Sequence, residues 1–134
     1  MIPSIMLLTL KSSAKLNNGV EIPYLGLGVY QSPPGEITLR GVRYALKIGY
    51  RQIDTAELYG NEKDVGRALR ESGIRREDVF ITTKVWNSHQ GYDSTLHACE
   101  GSFDLYYDQV PLTRCYCLPL VLFAKATIGV FIRY

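Results

Sequence analysis

Asp54, Tyr59 and Lys84 are three residues whose chemistry is complementary if the fold brings them together. An unperturbed tyrosine, with a pKa of about 10, is a poor acid at neutral pH, and a neighbouring ammonium stabilises its phenolate. A lysine partly removed from water needs a carboxylate partner in turn. Such a trio equips a tyrosine to protonate a carbonyl oxygen as hydride arrives at the adjacent carbon. The same residues also read as a structural Asp54–Lys84 ion pair with Tyr59 packed under a loop, and spacing alone leaves both readings open.

The elements that must position them follow from the surrounding pattern. Gly49 to Gly66, G-Y-R-Q-I-D-T-A-E-L-Y-G-N-E-K-D-V-G, opens as a short alternating strand at 50–54, passes through a polar turn and ends in a helix start. A second strand, 79–85, ends at Lys84 and Val85. Strand alternation puts Tyr50, Gln52 and Asp54 on one face, and Phe80, Thr82 and Lys84 on one face. If both faces point inward, Asp54 and Lys84 meet at the carboxyl ends of the strands, where α/β enzymes place their chemistry.

Earlier in the chain, Asn18-Gly19 between short apolar arms at 15–23 predicts a β-hairpin. The run Y-L-G-L-G-V-Y at 24–30 predicts a strand buried on both faces. Leu39, Val42, Ala45 and Leu46 predict a helix over 36–48, stopped by Gly49. Asn61 is a plausible N-cap for a helix with Glu62 and Asp64 in its first turn and a Val65, Ala68, Leu69 stripe. A third helix is expected over 93–103, with Leu96, Cys99 and Phe103 on one side. Hairpin followed by β-α-β-α-β-α argues for a parallel sheet, either a barrel or an open doubly wound sheet.

Trp86, just past Lys84, could wall a substrate pocket, although a strand-end tryptophan more often packs; His89 and His97 read as solvent-facing. There is no G-x-G-x-x-G or G-x-x-x-x-G-K phosphate loop. At 134 residues the chain bounds one modest core. Charged residues at 21% and a net charge of +2 lack the basic excess of a nucleic-acid binder. Cys99, Cys115 and Cys117 have no second cluster to complete a zinc site and read as reduced thiols in the cytoplasm. The apolar run at 2–10 lacks a preceding Lys or Arg, against a signal peptide. From Phe103 to Tyr134, 21 of the 32 residues are apolar or aromatic, without a clean helical or strand period. Pro119, Lys125 and Gly129 argue against a membrane span there.

Three segments in order, L-N-N-G-V-E-I-P-Y-L-G-L-G, G-Y-R-Q-I-D-T-A-E-L-Y-G-N-E and V-F-I-T-T-K-V-W-N, form a highly specific combination. On them the chain from about residue 15 to 102 resembles the N-terminal third of the aldo-keto reductases, NADP(H)-dependent enzymes built on a (β/α)8 barrel. The resemblance implies Tyr59 as general acid, Lys84 as the cation that makes it acidic, and Asp54 as the holder of Lys84. It implies that Val29, Tyr30 and Asp54 bind the nicotinamide end of NADPH, and that Tyr30, Tyr59 and Trp86 line the pocket for an aldehyde or ketone. The fold expected is α/β, a partial (β/α)8 TIM barrel: a hairpin plus about three β/α units, then an unrelated apolar C-terminal tail.

The division expected is 1–14 as an N-terminal extension, 15–102 as the reductase part and 103–134 as the divergent tail. Members of the family continue into a fourth strand with a catalytic histidine that has no counterpart here, so the expectation is a truncated or frame-shifted product. Three strands cannot close a barrel, and an open edge invites self-association or pairing with a full-length relative. The second expectation is therefore a non-catalytic remnant or regulatory partner.

Overall fold

The computed structural model describes residues 8–106 and 115–119. The hairpin forms between β1 (Ser13–Lys15) and β2 (Glu21–Pro23), antiparallel, with Ala14 opposite Ile22. Within its turn only Gly19 takes positive φ, at 82°. Leu16 N–H donates to Val20 O at 2.8 Å and Gly19 N–H to Leu16 O at 2.9 Å. That is a three-residue loop with glycine at the bulge, so Asn18-Gly19 marks the hairpin without forming a two-residue turn. The hairpin takes Ser13 and Ala14 from the segment expected to be an extension.

Four strands then build one parallel sheet in the order β3 (Leu27–Gly28), β4 (Gln52–Asp54), β5 (Phe80–Val85) and β6 (Cys115–Pro119). Helices α1 (Glu36–Ile48), α2 (Glu62–Ser72) and α3 (Tyr92–Tyr106) alternate with them. The α1 bounds are those the periodicity predicts, and Gly49 ends it in the left-handed conformation. Leu39, Val42 and Leu46 of α1, Val65 and Leu69 of α2, and Ile53 and Ile81 of the strands share one core. A partial barrel of the expected class results.

Two expectations are corrected. The run at 24–30 pairs only at Leu27 and Gly28, and Tyr24 and Leu25 are exposed, so this strand is not buried on both faces. The cause is position: β3 is an edge, paired to β4 on one side alone among the described residues. Of its glycines, Gly26 serves close approach, since a Cβ there would meet the Gln52 side chain at 2.8 Å. The second correction concerns the tail. Strand β6 lies within it and pairs with all but the first residue of β5, making four parallel strands where three were expected. Residues 1–7, 107–114 and 120–134 lie outside the described residues, and with them most of the N-terminal apolar run and most of the tail. Among the described residues no helix is long and apolar enough to cross a membrane.

Helix α3 runs three residues past the expected end at Phe103, and Phe103 and Tyr106 are buried. Its last turn is fastened by Glu62, which accepts hydrogen bonds from Thr83 Oγ1, from Tyr106 Oη at 2.7 Å and from Ser102 Oγ at 3.3 Å. Glu62 is 5% exposed, so its role exceeds that of a first-turn acid at a helix N-terminus. Beside it α2 and α3 touch at Gly66, where a Cβ would stand 1.9 Å from the Leu105 carbonyl oxygen. Backbone cannot rotate away, so Gly66→Ala must push the helices apart. We expect it to cost about 1–3 kcal/mol, read as an earlier chemical-denaturation midpoint; an unchanged midpoint would contradict this packing.

Candidate active site

Registry and alternation bring the chemistry together. Strands β4 and β5 pair with Ile53 beside Ile81 and Asp54 beside Thr82. Both isoleucines are fully buried against the helices, which sends Asp54, Thr82 and Lys84 to the opposite face. Lys84 Nζ donates to Asp54 Oδ1 at 2.7 Å, to Asp54 Oδ2 at 2.8 Å and to Thr55 O at 2.9 Å. The lysine side chain is 6% exposed and that of Asp54 38%, so the cation is enclosed while the carboxylate keeps an open side. Enclosure without a carboxylate would be costly, and Asp54 offsets it.

Tyr59 closes a single 3₁₀ turn, Glu57–Tyr59, ended by Gly60 at φ 66°. The turn lays the Tyr59 ring beside the ion pair, with Lys84 Nζ 5.2 Å from the ring centroid. Tyr30 packs on the other side, its ring centroid 5.1 Å from that of Tyr59 at a tilt of 52°. Asp54, Tyr59, Lys84 and Tyr30 are thus one cluster. Trp86 is half-buried just beyond β5. Val29 stands apart: its side chain is 3% exposed within the helix-side core, so only its backbone is near Tyr30.

Several residues that hold this cluster carry no spacing signal. Thr55 N–H donates to Thr82 O at 2.8 Å, which fixes the carbonyl that Lys84 uses. Thr55 Oγ1 donates to Asn61 Oδ1 at 2.9 Å, and Asn61 Nδ2 donates to Val29 O and Ser32 O, both at 3.0 Å. Asn61 is fully buried and its side chain does not cap α2, although it sits at the N-cap position. It ties the segment bearing Tyr30 to the turn bearing Tyr59. Identity at the N-cap could have flagged it, but nothing in the sequence separates capping from bridging. His89 and His97 are both exposed as expected; His89 Nδ1 lies 2.8 Å from Glu57 Oε1 and His97 Nδ1 3.5 Å from Glu100 Oε2.

Among the described residues, this site suits the reacting end of a nicotinamide nucleotide and offers no group for its phosphates. The exposed side of Asp54 can accept a ribose hydroxyl, and Tyr30 offers a flat, open ring. Among the described residues the arginines lie elsewhere: Arg43, Arg67 and Arg70 are on α1 and α2, while Arg51, Arg75 and Arg76 precede β4 and β5 at the other end of the strands. A cleft lined by Arg40, Tyr44, Lys47 and Arg51 is likewise remote from Lys84.

The model of the Aldo/keto reductase family matches residues 25–105. The chain is 51% identical over 96 residues to a glyoxal reductase of Bacillus subtilis (strain 168), covering 72% of this chain and 35% of that protein. It is 54% identical over 90 residues to a 9,11-endoperoxide prostaglandin H2 reductase of Trypanosoma cruzi (strain CL Brener), covering 67% of this chain and 32% of that one. The crystal structure of an aldo/keto reductase from Brucella melitensis superposes with a TM-score of 0.68 at 51% identity, over 75% of this chain and 38% of the other. The chain spans about a third of the length of the curated relatives it matches.

Proposed function

This chain belongs to the aldo/keto reductase family, and from that premise we propose that it carries the proton-donating part of an NADPH-dependent site reducing aldehydes or ketones to alcohols. The observation that carries this reading is the enclosed Lys84 ammonium, held by both oxygens of Asp54 and lying 5.2 Å from the Tyr59 ring centroid. NADPH, when bound, supplies the hydride. Tyr59 gives its proton to the carbonyl oxygen, and the negative charge left on the phenol oxygen falls in the field of Lys84. Asp54 keeps the ammonium aimed and, with Tyr30 and the chain at Val29, holds the nicotinamide end. Tyr30, Tyr59 and Trp86 form the pocket wall of a cytoplasmic enzyme.

Relatives titled glyoxal reductase and D/L-glyceraldehyde reductase make short aldehydes the first substrates to try. The purified chain should oxidise NADPH when glyoxal is added. NADPH alone should raise the melting midpoint, since at about a hundred times Kd a ligand of the folded state adds about 2.7 kcal/mol. Turnover absent and midpoint unmoved would end the catalytic reading. The β3 edge, unpaired among the described residues, favours a second reading, a non-catalytic chain that associates through that edge with itself or a full-length relative.

A further inference from the structure

The turn that carries Tyr59 and the loop that carries Trp86 are joined by one side chain. Glu57 opens the 3₁₀ turn whose last residue is Tyr59. Its Oε2 accepts the Trp86 backbone N–H at 3.1 Å, and its Oε1 lies 2.8 Å from His89 Nδ1. His89 belongs to a second 3₁₀ turn, Asn87–His89, in which His89 N–H donates to Trp86 O at 2.9 Å. Thr95 of α3 donates from Oγ1 to His89 O at 3.0 Å, so that turn is itself anchored. Both oxygens of Glu57 thus point across the gap between two loops that share no strand pairing at this level.

We propose that Glu57 is a positioning residue that clasps the Trp86–His89 turn to the Tyr59 turn and so sets the separation of Trp86 from Tyr59, the two walls between which a carbonyl compound would enter. The pocket role rests on the reductase reading above; the clasp itself does not. Glu57 touches no reacting atom in this arrangement. It acts through Trp86, whose backbone position it fixes, and a residue of this kind governs which substrates fit more than how fast the proton moves. A carboxylate suits the task because each oxygen serves one partner, and a charge-assisted bond to the backbone N–H is stronger than a neutral one.

Trp86 is the single tryptophan of the chain, so its fluorescence reports the clasp directly. In Glu57→Ala the Trp86–His89 turn is released, and acrylamide quenching of Trp86 should rise about twofold while the thermal midpoint moves little, as local opening without global unfolding requires. His89→Ala, which leaves the Trp86 N–H bond intact, should raise quenching less, and Glu57→Gln, which keeps one acceptor, should restore most of the protection. With an aldehyde that turns over, Glu57→Ala should raise KM several-fold and leave kcat within about twofold. Quenching identical in all four proteins would overturn the clasp. A fall in kcat with KM unchanged would overturn the positioning role, and absence of turnover in the unaltered chain would overturn the pocket role together with the reductase reading, leaving quenching to decide the clasp.

Discussion

Replacing Tyr59 by phenylalanine is expected to lower kcat/KM by about 10²- to 10⁴-fold, the range that a positioned general acid supplies. The substitution isolates proton donation because the contacts the structure gives Tyr59 belong to its ring. The tilted packing on Tyr30 and the approach of Lys84 Nζ to the ring face both survive in phenylalanine. The melting midpoint and its rise with NADPH should therefore match those of the unaltered chain. Single-turnover kinetics with an aldehyde, run beside that melt, separates lost chemistry from lost folding. Turnover retained within about threefold, where a missing general acid predicts two orders of magnitude or more, would remove Tyr59 from the role of donor and leave Lys84 and Asp54 as an ion pair without chemistry.

How far this arrangement could be read before coordinates depends on the kind of signal each part leaves. Asp54 and Lys84 were legible because strand alternation is a two-state code, and Ile53 and Ile81 at 0% exposure force their neighbours onto the other face. Helix α1 was legible to the residue because its apolar spacing and its glycine stop agree. The carboxylates and amides that hold the site were not. Asn61 and Glu62 satisfy the local rules for a helix start, and only the fold reveals that Asn61 reaches Val29 and Glu62 reaches Tyr106, 32 and 44 residues away. Glu57 and His89 lie in polar turns, where sequence offers no period and a pairing between loops leaves no trace. Strand β6 was missed for the opposite reason, since a short apolar run with a terminal proline reads as neither element. The glycines divide in the same way: Gly49 is announced by its place after a helix, whereas Gly66 is silent because the Leu105 backbone it admits comes from another helix.

Removing the Asp54 carboxylate should have the largest effect on stability. In Asp54→Ala the Lys84 ammonium, 6% exposed, keeps only Thr55 O of its three acceptors. An enclosed charge stripped of its partner costs 3–5 kcal/mol, and the open side of Asp54, which lets water reach the gap, puts the expected loss at about 3 kcal/mol. Lys84→Met removes the charge and keeps an unbranched chain in the same space, leaving the carboxylate free to turn toward solvent. We expect it to cost about 1 kcal/mol, and the double variant to be more stable than Asp54→Ala alone by about 1–2 kcal/mol. Urea denaturation of the four proteins closes the cycle, with slopes compared to confirm that the unfolding transition is the same. If Asp54→Ala and Lys84→Met are equally mild and their effects add, the ammonium is not enclosed in the way the three short contacts require. The proton donation proposed for Tyr59 would then lose the fixed charge on which it depends. A large Asp54→Ala loss relieved by Lys84→Met would instead show that the charge is held against an electrostatic cost, as a site built for a developing phenolate demands.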